Sequence, residues 1–383
     1  MKAGPVRITR RTDASRAAAV TTSLLAALFG LILSGLVIQL AGHSAVDTFR
    51  KVFEQSLSGA DHLSATFVSA TPLILTGLAA AVAFRARVWN IGGEGQMYIG
   101  AITGAAAGIA LGGFTGWIAV PAMIVAGCIG GAAWAAIPAV LRAYCRTSET
   151  LTSLMLNYIA GLILVYLIFD SFSYWRDTTS PGANLFPQGK TLSESTFWPG
   201  LTGLGLLVPL GFLLGIILAF GLYVYIRSTR AGYTLRVVAD SPMVALYGGM
   251  RPARTLIAVM LISGAFAGLA GASQVGDFTH VLAPSSLMGS SFGYTGIVVA
   301  ALARFNPIAV IPSAIFFGAL TNAGLALQGP DFPRGLVGVA EGIILFSLLG
   351  GEMLVRYRIT ASTTGRPERP SPEPTASHGG ASA

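Results

Sequence analysis

Ten runs of apolar residues, each near the length a helix needs to cross bilayer hydrocarbon, follow one another along this 383-residue chain. They fall at roughly 17–42, 66–84, 95–113, 116–141, 151–173, 200–226, 255–275, 291–303, 307–327 and 335–352, the eighth short and read as broken. A chain patterned this way is an all-α polytopic membrane protein, because lipid offers no partner to backbone groups left outside a helix. Composition agrees: charged residues make up 10%, where a soluble domain carries about 25%. The first run has a basic front like a secretory leader. Its apolar core is too long for one, so it is read as an anchor helix.

Lysine and arginine set the orientation. With the N-terminus placed inside, nineteen of the 24 basic residues fall in inner segments. Only Arg50, Lys51, Arg176, Lys190 and Arg334 fall outside. That asymmetry supports an even number of spans and two cytoplasmic termini. It also explains the net charge of +8 as a topology signal and not a nucleic-acid patch. The chain divides into a basic arm (1–16), a transmembrane domain (17–352) and a tail (353–383). The tail, rich in Pro, Ser, Gly and Thr, is expected to be disordered.

Outside the membrane, Val46, Phe49, Phe53 and Leu57 recur at helical spacing and predict an amphipathic helix on the outer surface. Tyr174, Trp175, Phe197 and Trp198 predict an interfacial aromatic belt. Two four-residue repeats of small residues predict packing seams: Gly100, Gly104, Gly108 and Gly112 on the third span, and Gly264, Gly268, Ala272 and Gly276 on the seventh. The glycines at 92, 93 and 95 predict a broken start to the third span, of a kind that survives only where protein or water covers it.

The longest inner loop between spans, 227–254, carries a compact helix signal. Ser241 is a fitting N-cap, Pro242 suits the first helical position, and Met243, Val244, Ala245, Leu246 and Tyr247 follow before Gly248 and Gly249. A short apolar helix on the cytoplasmic side is either folded onto the bundle or a docking knob for a cytoplasmic protein.

The chemistry of an enzyme is missing. No nucleotide-binding fingerprint, metal-ligand spacing or nucleophile–base set stands out, and "QGKT" at 188–191 lacks the glycine a phosphate loop requires. Cys128 and Cys145 are read as small buried hydrophobes. Acids within the spans are few, which weighs against an ion-coupled carrier, the alternative class.

Four stretches carry a family resemblance: "TPLILTGLAAAVAFRARVWNIGGEGQMYIGA", "SETLTSLMLNYIAG", "GYTLRVVADSPMVALYGGM" and "GIVVAALARFNPIAVIPSAIFFGAL". Together they resemble the permease subunit of bacterial ATP-binding-cassette (ABC) importers for simple sugars, nucleosides and branched-chain amino acids. The 90–96 signature is most similar to the nucleoside group. The resemblance implies a type II importer fold, with about ten helices in two inverted repeats. It implies a second permease subunit, typically making a heterodimer, a cytoplasmic ATPase that uses the ATP, and a substrate-binding protein or lipoprotein. The location it implies is the bacterial cytoplasmic (inner) membrane, and the protein itself needs no cofactor or metal. On this resemblance residues 227–254 are the coupling loop, with Ser241 to Gly248 docking on the ATPase. Thr147, Ser148, Glu149 and Thr150 lie where such transporters close their inner gate. Branched-chain amino acids are the alternative cargo.

The remaining candidates are polar residues within or beside spans. Glu94, with Asn90 and Gln96, is expected to stabilise the broken start of the third span or to touch substrate; a carboxylate suits a helix N-terminus. Asn157 and Tyr158 should face the bundle, lining a pathway or bonding between helices. Glu341 is the costliest residue in place and is expected at the pathway or a subunit interface. Gln274 and Asn322 are candidates of the same kind. Ser148 or Thr147 is expected to cap the fifth span.

Overall fold

The computed structural model describes residues 6–10, 16–179, 187–203, 205–327, 338–340, 342–344, 346–347, 350–351 and 357–361. Glu341 and the tail beyond residue 361 lie outside them. In order come strand β1 (Val6–Arg10), helices α1 (Arg16–Leu40), α2 (Ala45–Leu57), α3 (Ala60–Arg85), α4 (Gly93–Ala110), α5 (Gly116–Cys145) and α6 (Glu149–Val165), and a hairpin of β2 (Leu201–Gly203) and β3 (Leu206–Val208). Then follow α7 (Leu210–Ser228), α8 (Arg230–Asp240), α9 (Pro242–Tyr247), α10 (Pro252–Ser273), α11 (Pro284–Ser290), α12 (Phe292–Leu302), α13 (Pro307–Leu327) and β4 (Tyr357–Ala361). Among the described residues seven helices are long and apolar enough to cross a membrane, with a further bent pair, Leu28–Leu40 and Ala45–Leu57, turned by 118°. The third run is helical as α4, but Glu94 and Gln96 in its first turn lower its apolarity.

Two expected boundaries shift. The run at 200–226 begins with the β2–β3 hairpin and becomes helical only at Leu210, because Gly200, Gly203 and Gly205 favour a turn and Pro209 suits the position before a helix. The eighth span is divided: α11 ends at Ser290, and Ser291 is held at φ 47° before α12 begins. At the chain ends, β1 and β4 pair antiparallel with Ile8 opposite Ile359. Five residues of the segment expected to be disordered are thus a strand, paired with residues 6–10.

The core is a helix bundle whose two small-residue seams meet. A Cβ placed on Gly100 would lie 2.2 Å from the Gly268 carbonyl oxygen, and one on Gly131 equally close to that of Gly264. Backbones of α4, α5 and α10 therefore touch directly, which is how helices gain contact where lipid gives no hydrophobic drive. α2 is helical as its periodicity predicts. Thr48 and Ser56 are buried, with the Ser56 hydroxyl donating to Ala319 O (2.8 Å), while Val46, Phe53 and the charged residues Asp47, Arg50, Lys51 and Glu54 are exposed. The aromatic belt is partly overturned. Trp198 is buried against Gly276, and the Trp175 indole N–H donates to Ile102 O (2.9 Å), so both are packed in the protein and not spread at an interface. Cys128 is half-buried, but Cys145 is exposed, because α5 ends there and its next residue, Arg146, turns left-handed at φ 55°.

Candidate functional site

The site grows from the chain reversal between α3 and α4. After Arg85 the backbone turns left-handed at Arg87 (φ 57°) and dips back into the protein. Asn90 is buried there. Its Oδ1 accepts from the Gly92 N–H and from Gln96 Nε2, both at 3.0 Å. Its Nδ2 donates to Gln96 Oε1 (3.0 Å) and Ser263 Oγ (2.9 Å), and Ser263 donates onward to Ala79 O (2.7 Å). Two amides thus grip each other across the first turn of α4 and fasten it to α3 and α10.

Glu94 is 2% exposed. Its carboxylate turns to the neighbouring α12 and not to the free amides of its own helix. The N–H groups of Gly293 and Tyr294 donate to Oε2 (2.6 and 3.3 Å), and the Tyr98 hydroxyl donates to Oε1 (2.7 Å). The first turns of α4 and α12 are in contact; a Cβ on Gly293 would fall 2.4 Å from the Glu94 nitrogen. Each helix start carries about half a positive charge. Without an anion these two starts would repel, and their free N–H groups would be buried unpaired. Glu94 answers both problems.

Asn157 completes the junction from α6. Its Oδ1 accepts from the Gly95 N–H (2.9 Å), while Nδ2 donates to Ile91 O (2.9 Å) and the Tyr294 hydroxyl (3.1 Å). Asn90, Glu94, Gln96 and Asn157 therefore form one network, with Ser263, Tyr98 and Tyr294 as members that sequence reasoning missed. Tyr158 stands beside it, 65% exposed, on the side where Tyr294 also reaches the surface. The other two candidates lie elsewhere. Gln274 is 11 residues beyond Ser263 along the same helical path, or about 16 Å. Asn322 Nδ2 donates to Gln55 O (3.1 Å), His62 O (3.3 Å) and Thr66 Oγ1 (3.4 Å), pinning α13 to the link between α2 and α3.

A second carboxylate also accepts at a helix start. Asp277 Oδ2 accepts from the Gly211 N–H (3.0 Å) at the start of α7 and from Ser273 Oγ (2.7 Å). It was missed because the seventh run was closed at residue 275. The signal available was the serine four residues before the acid, a helical neighbour.

At the α5–α6 turn, Ser148 caps α6 by accepting from the Leu151 N–H (3.4 Å); Thr147 does not cap. Glu149 follows in the first turn and is buried, with Arg142 Nε 3.1 Å from its carboxylate. In the loop 227–254, α9 forms where its punctuation predicts. Ser241 accepts from the Val244 N–H (3.4 Å), Pro242 opens the helix, and Gly249 at φ 74° turns the chain away. Ala245 is buried; Met243, Val244, Leu246 and Tyr247 are 63, 60, 56 and 90% exposed.

Residues 62–349 match the family described as the permease component of branched-chain amino acid transport systems. Among curated proteins the chain is similar to a glucose ABC transporter permease of Haloferax volcanii, 30% identical over 88% of this chain and 89% of that one. It is also similar to a nucleoside ABC transporter permease of Lactococcus lactis (27%; 85% and 90% covered). A guanosine ABC transporter permease of Bacillus subtilis is 29% identical, with 84% and 90% covered.

Proposed function

This chain belongs to the family of permease components of branched-chain amino acid transport systems, and we propose that it is the membrane-spanning subunit of an ABC importer that moves nucleosides or simple sugars. It is a conduit and not an enzyme, and a separate ATPase energises it. The observation that carries this reading is α9: a rigidly capped helix of six residues with four apolar side chains turned away from its own protein. An apolar face held at the water side needs a partner, and the cytoplasmic ATPase is the partner that a permease without nucleotide-binding motifs requires.

Packing supports two inverted repeats. α10 lies against α4 and α5, and α3 lies against α12 and α13; α4 also packs on α5 as α12 packs on α13. Exchanging α3 with α10, α4 with α12 and α5 with α13 leaves this pattern unchanged. The Glu94–Gly293 contact sits where the corresponding helices α4 and α12 begin, so Glu94 holds the centre of the arrangement. Together with α1, α6, α7 and the tenth apolar run at 335–352, these elements support a count of ten spans. The arginine bias and the β1–β4 pairing support two cytoplasmic termini in a bacterial inner membrane. A second permease and a delivery protein complete the assembly.

The pathway runs past Tyr158 and Tyr294. A tyrosine hydroxyl exposed in mid-span is costly against lipid and is satisfied by a water-lined channel. Asn90, Glu94, Gln96 and Asn157 support that wall from behind. Thr147, Ser148, Glu149 and Thr150 form the inner gate. Nucleosides rank first because the 90–96 signature and two of the three relatives point to them. The test is uptake of labelled guanosine by cells carrying the assembled transporter, with unlabelled nucleosides, glucose and leucine as competitors. Guanosine uptake that other nucleosides or glucose inhibit is expected; no uptake of guanosine or glucose, with leucine carried instead, would overturn the cargo assignment.

A further inference from the structure

The gate turn and the coupling elbow face each other across a recess of about 480 Å³. Arg142 and Ala143 of α5 and Glu149 of α6 form one wall; Ala239, Asp240 and Pro242 of the α8–α9 elbow form another. On the gate side one guanidinium holds both ends of the turn. Arg142 Nε lies 3.1 Å from the Glu149 carboxylate, and its Nη1 donates to Thr147 O (3.3 Å). The charges also suit the helix ends they occupy, a cation in the last turn of α5 and an anion in the first turn of α6. On the elbow side Asp240 pairs with Arg87 at 3.2 Å, and both side chains are largely exposed. An exposed pair of that kind holds weakly and exchanges readily.

We propose that this recess is the joint through which the ATPase moves the gate, and that Arg142 is its positioning residue. A push on α9 narrows the recess and brings Asp240 from Arg87 toward Arg142. The guanidinium then shares or leaves Glu149, and the α5–α6 turn is released from its clamp. A transmitted signal needs a discrete element with two arrangements that both sites bias; the pairs Arg142–Glu149 and Asp240–Arg87 are one of those arrangements. It rests on the reading of α9 as the docking helix, and it adds the residues that carry the motion onward.

The test uses the complete transporter with its ATPase. In a Cys145→Ser background, which removes the exposed native thiol on α5, Ala143→Cys and Ala239→Cys place one thiol on each wall. A short bismaleimide should link them about tenfold faster in the nucleotide-trapped complex than in the nucleotide-free one. Separately, Arg142→Gln should keep ATP hydrolysis while uptake falls by about tenfold, and Arg142→Lys should restore part of it. A cross-linking rate indifferent to nucleotide, or wild-type uptake by Arg142→Gln, would overturn the proposal. If the wild-type complex hydrolyses ATP but imports no nucleoside or sugar, the functional reading fails instead, and the 143–239 cross-link still reports on the joint.

Discussion

Met243→Asp and Tyr247→Ala, combined in one chain, are expected to leave the bundle folded and to reduce uptake by about thirtyfold or more. The two residues are well exposed, at 63 and 90%. Their loss removes nothing from the protein's own core. What it removes is an aromatic anchor, and it sets a charge where an apolar partner groove would have to desolvate it. Co-purification of the ATPase should fall with uptake, while the chain's elution profile in detergent stays unchanged. Ala245→Leu is the contrasting substitution. Ala245 is fully buried, so a larger side chain there should loosen the loop itself and show as lost stability.

Glu94→Ala should cost about 3 kcal/mol of stability, the largest loss expected from any single substitution at the junction. It strands the N–H groups of Gly293 and Tyr294 and the Tyr98 hydroxyl in a buried setting, and it leaves two helix starts facing each other without an anion. Glu94→Gln keeps the shape but turns an NH₂ toward groups that themselves donate, so about 1–2 kcal/mol is expected. Denaturant midpoints in mixed micelles measure both. Uptake should fall only as far as folded protein falls. A Glu94→Gln protein of unchanged stability with an altered KM would instead place the carboxylate on the substrate.

Local punctuation was legible in the sequence, and long-range pairing was not. The capped helix α9 could be placed because Ser241, Pro242 and Gly249 each act within a few residues. The small-residue seams could be placed because close approach needs glycine whatever the partner. Glu94 stood out as an acid at a helix start, yet the helix it serves begins with residues 199 positions away. No local pattern names such a partner. Trp198 looked interfacial because tryptophan is common there; the slot left by Gly276 drew it inward. The β2–β3 hairpin was hidden because "LTGLGLLV" is apolar enough to extend the following helix.

A passive chain whose movement is delivered through α9 cannot pump alone. Proteoliposomes test it directly. Permease subunits reconstituted without the ATPase should equilibrate solute at most, even under an imposed proton or sodium gradient, whereas the complete complex with delivery protein and ATP should concentrate it. Uphill accumulation by the permease subunits alone, driven by an ion gradient, would contradict the account.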